Sequence, residues 1–125
     1  MKGLQEKIFF EGQQEKPFSG MEDADLFLMG SYYEGFPNVL PEAGVLGIPV
    51  IAFNVPGGIA EIITAANGIL VDDNDIIGFA AAVKKAIAAN FDRDEIIAVS
   101  KKRFSVNTMV TDIENIFIGL TQTNN

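Results

Sequence analysis

Four brief apolar runs, separated by stretches with helical spacing, restrict the fold of this chain more than any other feature. They are "KIFFEG" (residues 7–12), "ADLFLMG" (24–30), "PVIAF" (49–53) and "NGILV" (67–71). Each is short, bounded by glycine, proline or asparagine, and nearly continuous in its hydrophobicity, which is the pattern of strands buried on both faces. Strands that alternate with helices are joined in parallel. The pattern therefore predicts an α/β fold, with a parallel sheet of about four strands and helices on both faces. At 125 residues the chain has the length of a single domain, 1–125.

The intervening segments read as helices. A short one is expected at residues 18–23. Another follows Asn38 and puts Val39, Ala43 and Leu46 on one face, and "GGIAEII" (57–63) makes a third. Three more close the chain. The first takes Asp75 as its N-cap and turns Ile76, Ala80, Val83 and Ile87 to the core. The second opens at Asp92 with Glu95 three positions on, a capping-box spacing. The last starts at Asn107 with Ile113, Phe117 and Leu120 facing inward.

Composition removes several functions. Hydrophobic residues make up 48% and charged residues 21%, ordinary values for a globular domain. Net charge is −8, and the one basic cluster, Lys101, Lys102 and Arg103, falls at the end of a predicted helix, where bases favour the dipole. A nucleic-acid partner is not expected. With no cysteine there is no disulfide, thiolate nucleophile or cysteine-bound zinc, and with no histidine a base poised near neutrality must be a shifted carboxylate or lysine, or a group borrowed from elsewhere. No apolar run reaches the ~20 residues of a membrane span. A cytoplasmic protein is expected.

The segment "SYYEGFPNVLPEAGVLGIPVIAF" (31–53) carries the candidate site. It follows a predicted strand, and in open parallel sheets ligands sit beyond the carboxyl ends of strands. If Asn38 is an N-cap, the first-turn amides have no partner inside the helix, and Pro41 removes one that would have been idle. The amides of Asn38, Val39 and Leu40 then suit a phosphate. Glu34 and Glu42, eight positions apart, flank that point and can accept hydrogen bonds from sugar hydroxyls. A plainer reading stands beside this one: Glu34 as a loop acid and Glu42 as a first-turn glutamate favoured by the dipole. "DDNDIIG" (72–78) lacks the spacing of a calcium loop and reads as a turn with a helix cap. "PGG" (56–58) is a tight turn on the ligand edge of the sheet.

Taken together, "ADLFLMGSYYEGFPNVLPEAGVLGIPVIAFNVPGGIAEII" followed by "NGILVDDND" resembles the donor-binding half of the retaining glycosyltransferases of GT-B fold, group 1 (family 4). The matching elements are a strand ending near serine, E-G-F-P, an E-x7-E pair, the "GIPVIA" strand, the "GG-x-x-E" turn and the "NG-x-LV" strand, all in order over residues 8–87. The resemblance implies a Rossmann-like sheet and transfer of a sugar with retention from a nucleotide-sugar donor, UDP- or GDP-linked. The acceptor would be a glycan or a lipid-linked glycan in surface polysaccharide synthesis. It assigns Glu34, with the amides of Gly35, Phe36 and Pro37, to the transferred sugar, and makes Glu34 the catalytic-site carboxylate. Asn38, Val39 and Leu40 would meet the diphosphate, and Glu42 the ribose. No metal and no cofactor are implied. The sugar-nucleotide epimerases share the fold, and a non-catalytic sugar-nucleotide-binding or assembly module is a further alternative; the E-x7-E pair with "EGFPN" favours the transferase.

Pro41 and Gly44 depart from the residues usual at those positions. The family's half-domain begins with two further strand–helix units carrying a basic diphosphate clamp, and its acceptor half supplies a catalytic histidine. The chain resembles a fragment that lacks both and would be inactive alone. The intact enzyme would be cytoplasmic or peripheral at the inner face of the membrane, and it would meet its acceptor through the missing half. In the family's strand order the absent strands lie between "KIFFEG" and "ADLFLMG". Residues 8–10 are therefore expected to slide in beside residues 26–28, with some self-association through the exposed sheet edge.

Overall fold

The computed structural model of the chain describes residues 3–122. It is an α/β structure with a three-stranded parallel sheet flanked by helices, in the order β1 (Phe27–Met29), α1 (Val39–Val45), β2 (Val50–Asn54), α2 (Ile59–Ile62), β3 (Gly68–Asp72), α3 (Ile76–Ala89), α4 (Arg93–Phe104) and α5 (Val106–Gln122). A 3-10 turn, Pro17–Gly20, precedes β1. The strands lie side by side in chain order, with Phe27 opposite Val50, Val50 opposite Gly68 and Asn54 opposite Asp72.

The central strand explains its own sequence. Val50, Ile51, Ala52 and Phe53 are all buried, because neighbours pair with both edges and helices cover the faces. Phe53 meets Phe79 of α3, with ring centroids 4.7 Å apart. Leu40 and Ala43 of α1, Ile59 and Ile62 of α2, and Ala82 and Ala86 of α3 complete the core. Helix α1 ends in a Schellman motif: the amides of Gly47 and Ile48 donate to the carbonyls of Gly44 and Ala43, both at 3.0 Å. Gly47 takes φ +72°, and a Cβ there would lie 2.9 Å from the Arg93 carbonyl oxygen. The neighbouring Leu46 carbonyl accepts from the Arg93 guanidinium at 3.2 Å. The start of α4 thus closes the end of α1.

Gly44, where the sequence departs from the usual residue, has a packing reason. A Cβ on it would lie 3.0 Å from the Cβ of Ser100, which is 1% exposed, and closer still to its hydroxyl. Only a glycine lets α4 approach α1 this closely.

Three expectations fail. Residues 7–12 form no strand, so the sheet has three strands and not about four. The amides of Lys7 and Ile8 turn back onto the Leu4 carbonyl, and Phe9 and Phe10 are 76% and 84% exposed. Pairing residues 8–10 with residues 26–28 gains two or three ladder bonds at about 0.5–1.5 kcal/mol each. Fixing the strand and its link costs about 1–2 kcal/mol per residue, and that cost wins. In α3 the buried face is Phe79, Ala82, Val83 and Ala86, while Ile76 and Ile87 are both 69% exposed and Ala80 is also exposed. Alanines let the helix lie close to the sheet, so size, more than hydrophobicity, chose the face. In α5 no residue is buried: Ile113, Phe117 and Leu120 are 45%, 65% and 60% exposed. The helix has the expected periodicity, and among the described residues little lies against it.

The caps fare better. The Asp75 carboxylate accepts from the Gly78 amide at 2.8 Å, and Asp92 accepts from Asp94 and Glu95 at 3.0 and 3.1 Å. No helix among the described residues is long and apolar enough to cross a membrane.

Candidate functional site

Parallel strands all finish on one side of the sheet, and there the loops after β1 and β2 touch. The Glu34 amide donates to the Pro56 carbonyl at 3.4 Å, and the Gly58 amide donates to the Gly35 carbonyl at 2.6 Å. This approach explains the paired glycines. Gly57 has φ +123°, and a Cβ on it would strike the Glu34 carbonyl. A Cβ on Gly58 would sit 2.9 Å from the Gly35 oxygen and 3.0 Å from the Phe36 ring. The "EGFP" and "PGG" stretches, read separately in the sequence, are two walls of one place.

Immediately beyond, α1 begins. Asn38 is its N-cap, with no side-chain cap bond, and its carbonyl accepts from the Glu42 amide at 3.1 Å. The Leu40 amide is already engaged, donating to the Pro37 carbonyl at 3.0 Å, and the Leu40 side chain is in the core. Among the described residues, the amides of Asn38 and Val39 find no acceptor. Pro37 is buried and anchors the turn, Asn38 is exposed, and Val39 is half-buried. Glu34 and Glu42 are both half-buried, and among the described residues neither carboxylate takes part in a hydrogen bond or ion pair. Two unengaged acids and two unengaged amides therefore share one edge of the sheet.

Four further residues frame the sheet: Asn67 and Gly68 at the entry end of β3, which the sequence showed only as part of a strand signature, and Arg103 and Phe104 near the loops, of which only Arg103 was noted, as one of a basic cluster. Asn67, 5% exposed, donates to the Ile62 carbonyl at 3.0 Å and accepts from the Thr64 amide at 2.6 Å, which fixes the turn into β3. Gly68 follows because a Cβ there would meet the Val50 carbonyl. That is the physical content of the "NG" dipeptide. Arg103 donates to the carbonyls of Ile62, at 3.1 Å, and Glu61, so it serves the end of α2 and not the dipole of its own helix. Phe104 meets Phe36 edge-on, with centroids 6.1 Å apart at 62°. The available signal was a cation beside an aromatic just before the helix break at Ser105.

Elsewhere, an open groove of about 600 Å³ is lined by Asp25, Leu26, Pro49, Phe91 and Arg93. It opens at the entry ends of β1 and β2, away from the loops described above. Among the described residues no cluster of acids has the arrangement of a metal site.

The model of the family described as "Glycosyl transferases group 1" matches residues 1–103. The capsular polysaccharide biosynthesis glycosyltransferase CapM of Staphylococcus aureus is 30% identical over 105 residues, covering 81% of this chain and 28% of that protein. A lipopolysaccharide 1,6-galactosyltransferase of Escherichia coli K12 is 36% identical over 90 residues, covering 68% and 25%. The chain spans between 14% and 33% of the length of such relatives. In structure, the apo form of the lipopolysaccharide outer core galactosyltransferase WaaB superposes with a TM-score of 0.82 at 24% identity, over 94% of this chain and 35% of that one. That likeness carries the fold, part of a GT-B structure, and the extended sequence match carries the kinship: the chain belongs to the group 1 glycosyl transferases.

Proposed function

We propose that residues 1–125 work as the donor-binding part of a retaining glycosyltransferase that builds a surface polysaccharide, and that they are inactive by themselves. What carries the reading is the junction of the two loops at the strand ends, with the idle amides of Asn38 and Val39 beside the idle carboxylates of Glu34 and Glu42. The donor is a UDP- or GDP-linked hexose or N-acetylhexosamine, and no metal or cofactor is called for. Its diphosphate lies at the start of α1, on the amides of Asn38 and Val39, with Leu40 contributing by sharing its proton. Glu42 accepts from the ribose hydroxyls. Glu34, with the amides of Gly35 and Phe36 and the turn at Pro37, takes the transferred sugar.

In this reading the chain's own groups act electrostatically. Oriented amides stabilise the charge that grows on the departing nucleoside diphosphate, and they need no reorganisation to do so. Glu34 holds the sugar hydroxyls while positive character develops at the anomeric carbon. The acceptor, a glycan or lipid-linked glycan, is met on residues beyond these, at the cytoplasmic face of the membrane. Self-association is also part of the reading: the outer edge of β1 pairs with no strand among the described residues, and Leu28 is 51% exposed.

Titration of the chain with UDP, followed by backbone amide shifts, tests the assignment. Shifts centred on Asn38 and Val39 are expected, with weak affinity. Shifts confined to Lys84, Lys85, Lys101 and Lys102 overturn it. UDP-sugar binding by a longer enzyme containing this chain, without any transfer, would favour the non-catalytic alternative.

A further inference from the structure

The parts of the candidate site do not hold themselves in place. Residues 34–37 belong to no helix or strand, and α2 has 4 residues, a single turn. An isolated turn of helix is unstable, since nucleation fixes several residues for one hydrogen bond. Both parts are gripped by two consecutive residues at the end of α4. The Arg103 guanidinium takes up the Glu61 and Ile62 carbonyls, groups that a helix end leaves without an internal partner. The same guanidinium stands 4.9 Å from the centre of the Phe104 ring. Phe104 in turn meets Phe36 edge-on, an arrangement aromatic pairs favour. One turn of α4 therefore touches both walls of the site, α2 through its carbonyls and the loop after β1 through Phe36.

Core filling accounts for these contacts only in part: Phe104 is half-buried and packs against the core, but its two partners lie outside it. Arg103 is exposed, and Phe36 is 50% exposed. What they bracket is the 2.6 Å bond from the Gly58 amide to the Gly35 carbonyl, the point at which the two walls join.

We propose that Arg103 and Phe104 are positioning residues of the donor site, which clamp α2 and the loop of residues 34–37 together so that the Gly58–Gly35 junction forms and the amides beyond it are aimed. The inference rests on the donor-site reading for its purpose, but the clamp has a readout of its own.

Hydrogen exchange at the Gly58 amide, measured on the ligand-free 125-residue chain, reports the junction directly. In Phe104→Ala this amide should exchange at least tenfold faster, while the amides of Ile51 and Ala52 in β2 keep their rates. Phe104→Tyr, which retains the ring, should restore the slow exchange. Phe36→Leu removes the same contact from its exposed side and gives the same reading if Phe104→Ala does not fold. Gly58 rates within twofold of wild type in both variants overturn the clamp, as does acceleration shared equally with β2. UDP titration separates the two readings. Absence of wild-type shifts at Asn38 and Val39 overturns the donor assignment while the exchange rates still decide the clamp. Wild-type shifts that persist with unchanged Kd in Phe104→Ala overturn its role in the site; a Kd raised about fivefold or more supports it.

Discussion

Replacing Gly44 by alanine sets two opposed effects against each other in one atom. In an exposed helix interior the change would stabilise by about 0.5–1 kcal/mol, because glycine loses the most backbone freedom on folding. Here the new methyl carbon would fall 3.0 Å from the Ser100 Cβ and nearer still to its hydroxyl. Ser100 is 1% exposed and cannot swing into water, and α1 is fixed in the core by its neighbouring Leu40 and Ala43 at 2% and 0% exposure. Forcing an extra methyl into such a contact costs about 1–3 kcal/mol. The expected net is a loss of about 1 kcal/mol, or roughly 4 °C in Tm. Urea unfolding of wild type, Gly44→Ala, Ser100→Ala and the double variant measures it. The double variant should regain part of the loss, with a coupling of about 0.5–1 kcal/mol, since removing the hydroxyl relieves the closest overlap. If Gly44→Ala alone is more stable than wild type, the packing argument is wrong and propensity dominates.

Asn67→Ala should cost about 1–3 kcal/mol in the same assay, because it removes the buried hydrogen bond to the Ile62 carbonyl together with the one accepted from the Thr64 amide. Asn67→Asp should be worse, since it keeps that acceptor but loses the donation to Ile62 and buries a charge. Gly57→Ala, at φ +123° against the Glu34 carbonyl, should cost about 1–3 kcal/mol of local strain and shift the amides of Glu34 and Gly35, while the amides of β2 stay in place. In an active enzyme containing this chain, Glu42→Ala should mainly weaken donor binding and Glu34→Ala mainly lower kcat. Each should lose about 1.5–3 kcal/mol for one charged hydrogen bond. A Glu34→Ala enzyme with only a raised KM contradicts its role.

The strands of the sheet were legible because each apolar run is bracketed by turn residues, and the bracket carries as much as the run. "KIFFEG" also ends at a glycine and failed, since a strand exists only where another strand pairs with it, and among the described residues none pairs with Ile8, Phe9 or Phe10. The caps at Asp75 and Asp92 were legible for the opposite reason: donor and acceptor lie within three residues of each other. In α3 the eye follows isoleucine, whereas the sheet accepted alanine. The loop glutamates could be found from motif and spacing. Their support was marked only by a cation beside an aromatic at the end of α4, and that pattern does not name its partners, because Arg103 reaches carbonyls about forty residues away.

The order β1-β2-β3 also has a consequence for synthesis. Because neighbours in the sheet are neighbours in the chain, each strand can dock on one already made, which keeps contacts about as local as parallel pairing permits. Emerging from the ribosome, the sheet grows in one direction and waits on no later strand. Helix α1 is the exception. Its outer face stays bare until α4 arrives, when Arg93 reaches Leu46 and Ser100 settles over Gly44. A nascent chain from which α4 has not yet emerged would display that face to the cell, and one from which α4 has emerged whole would not.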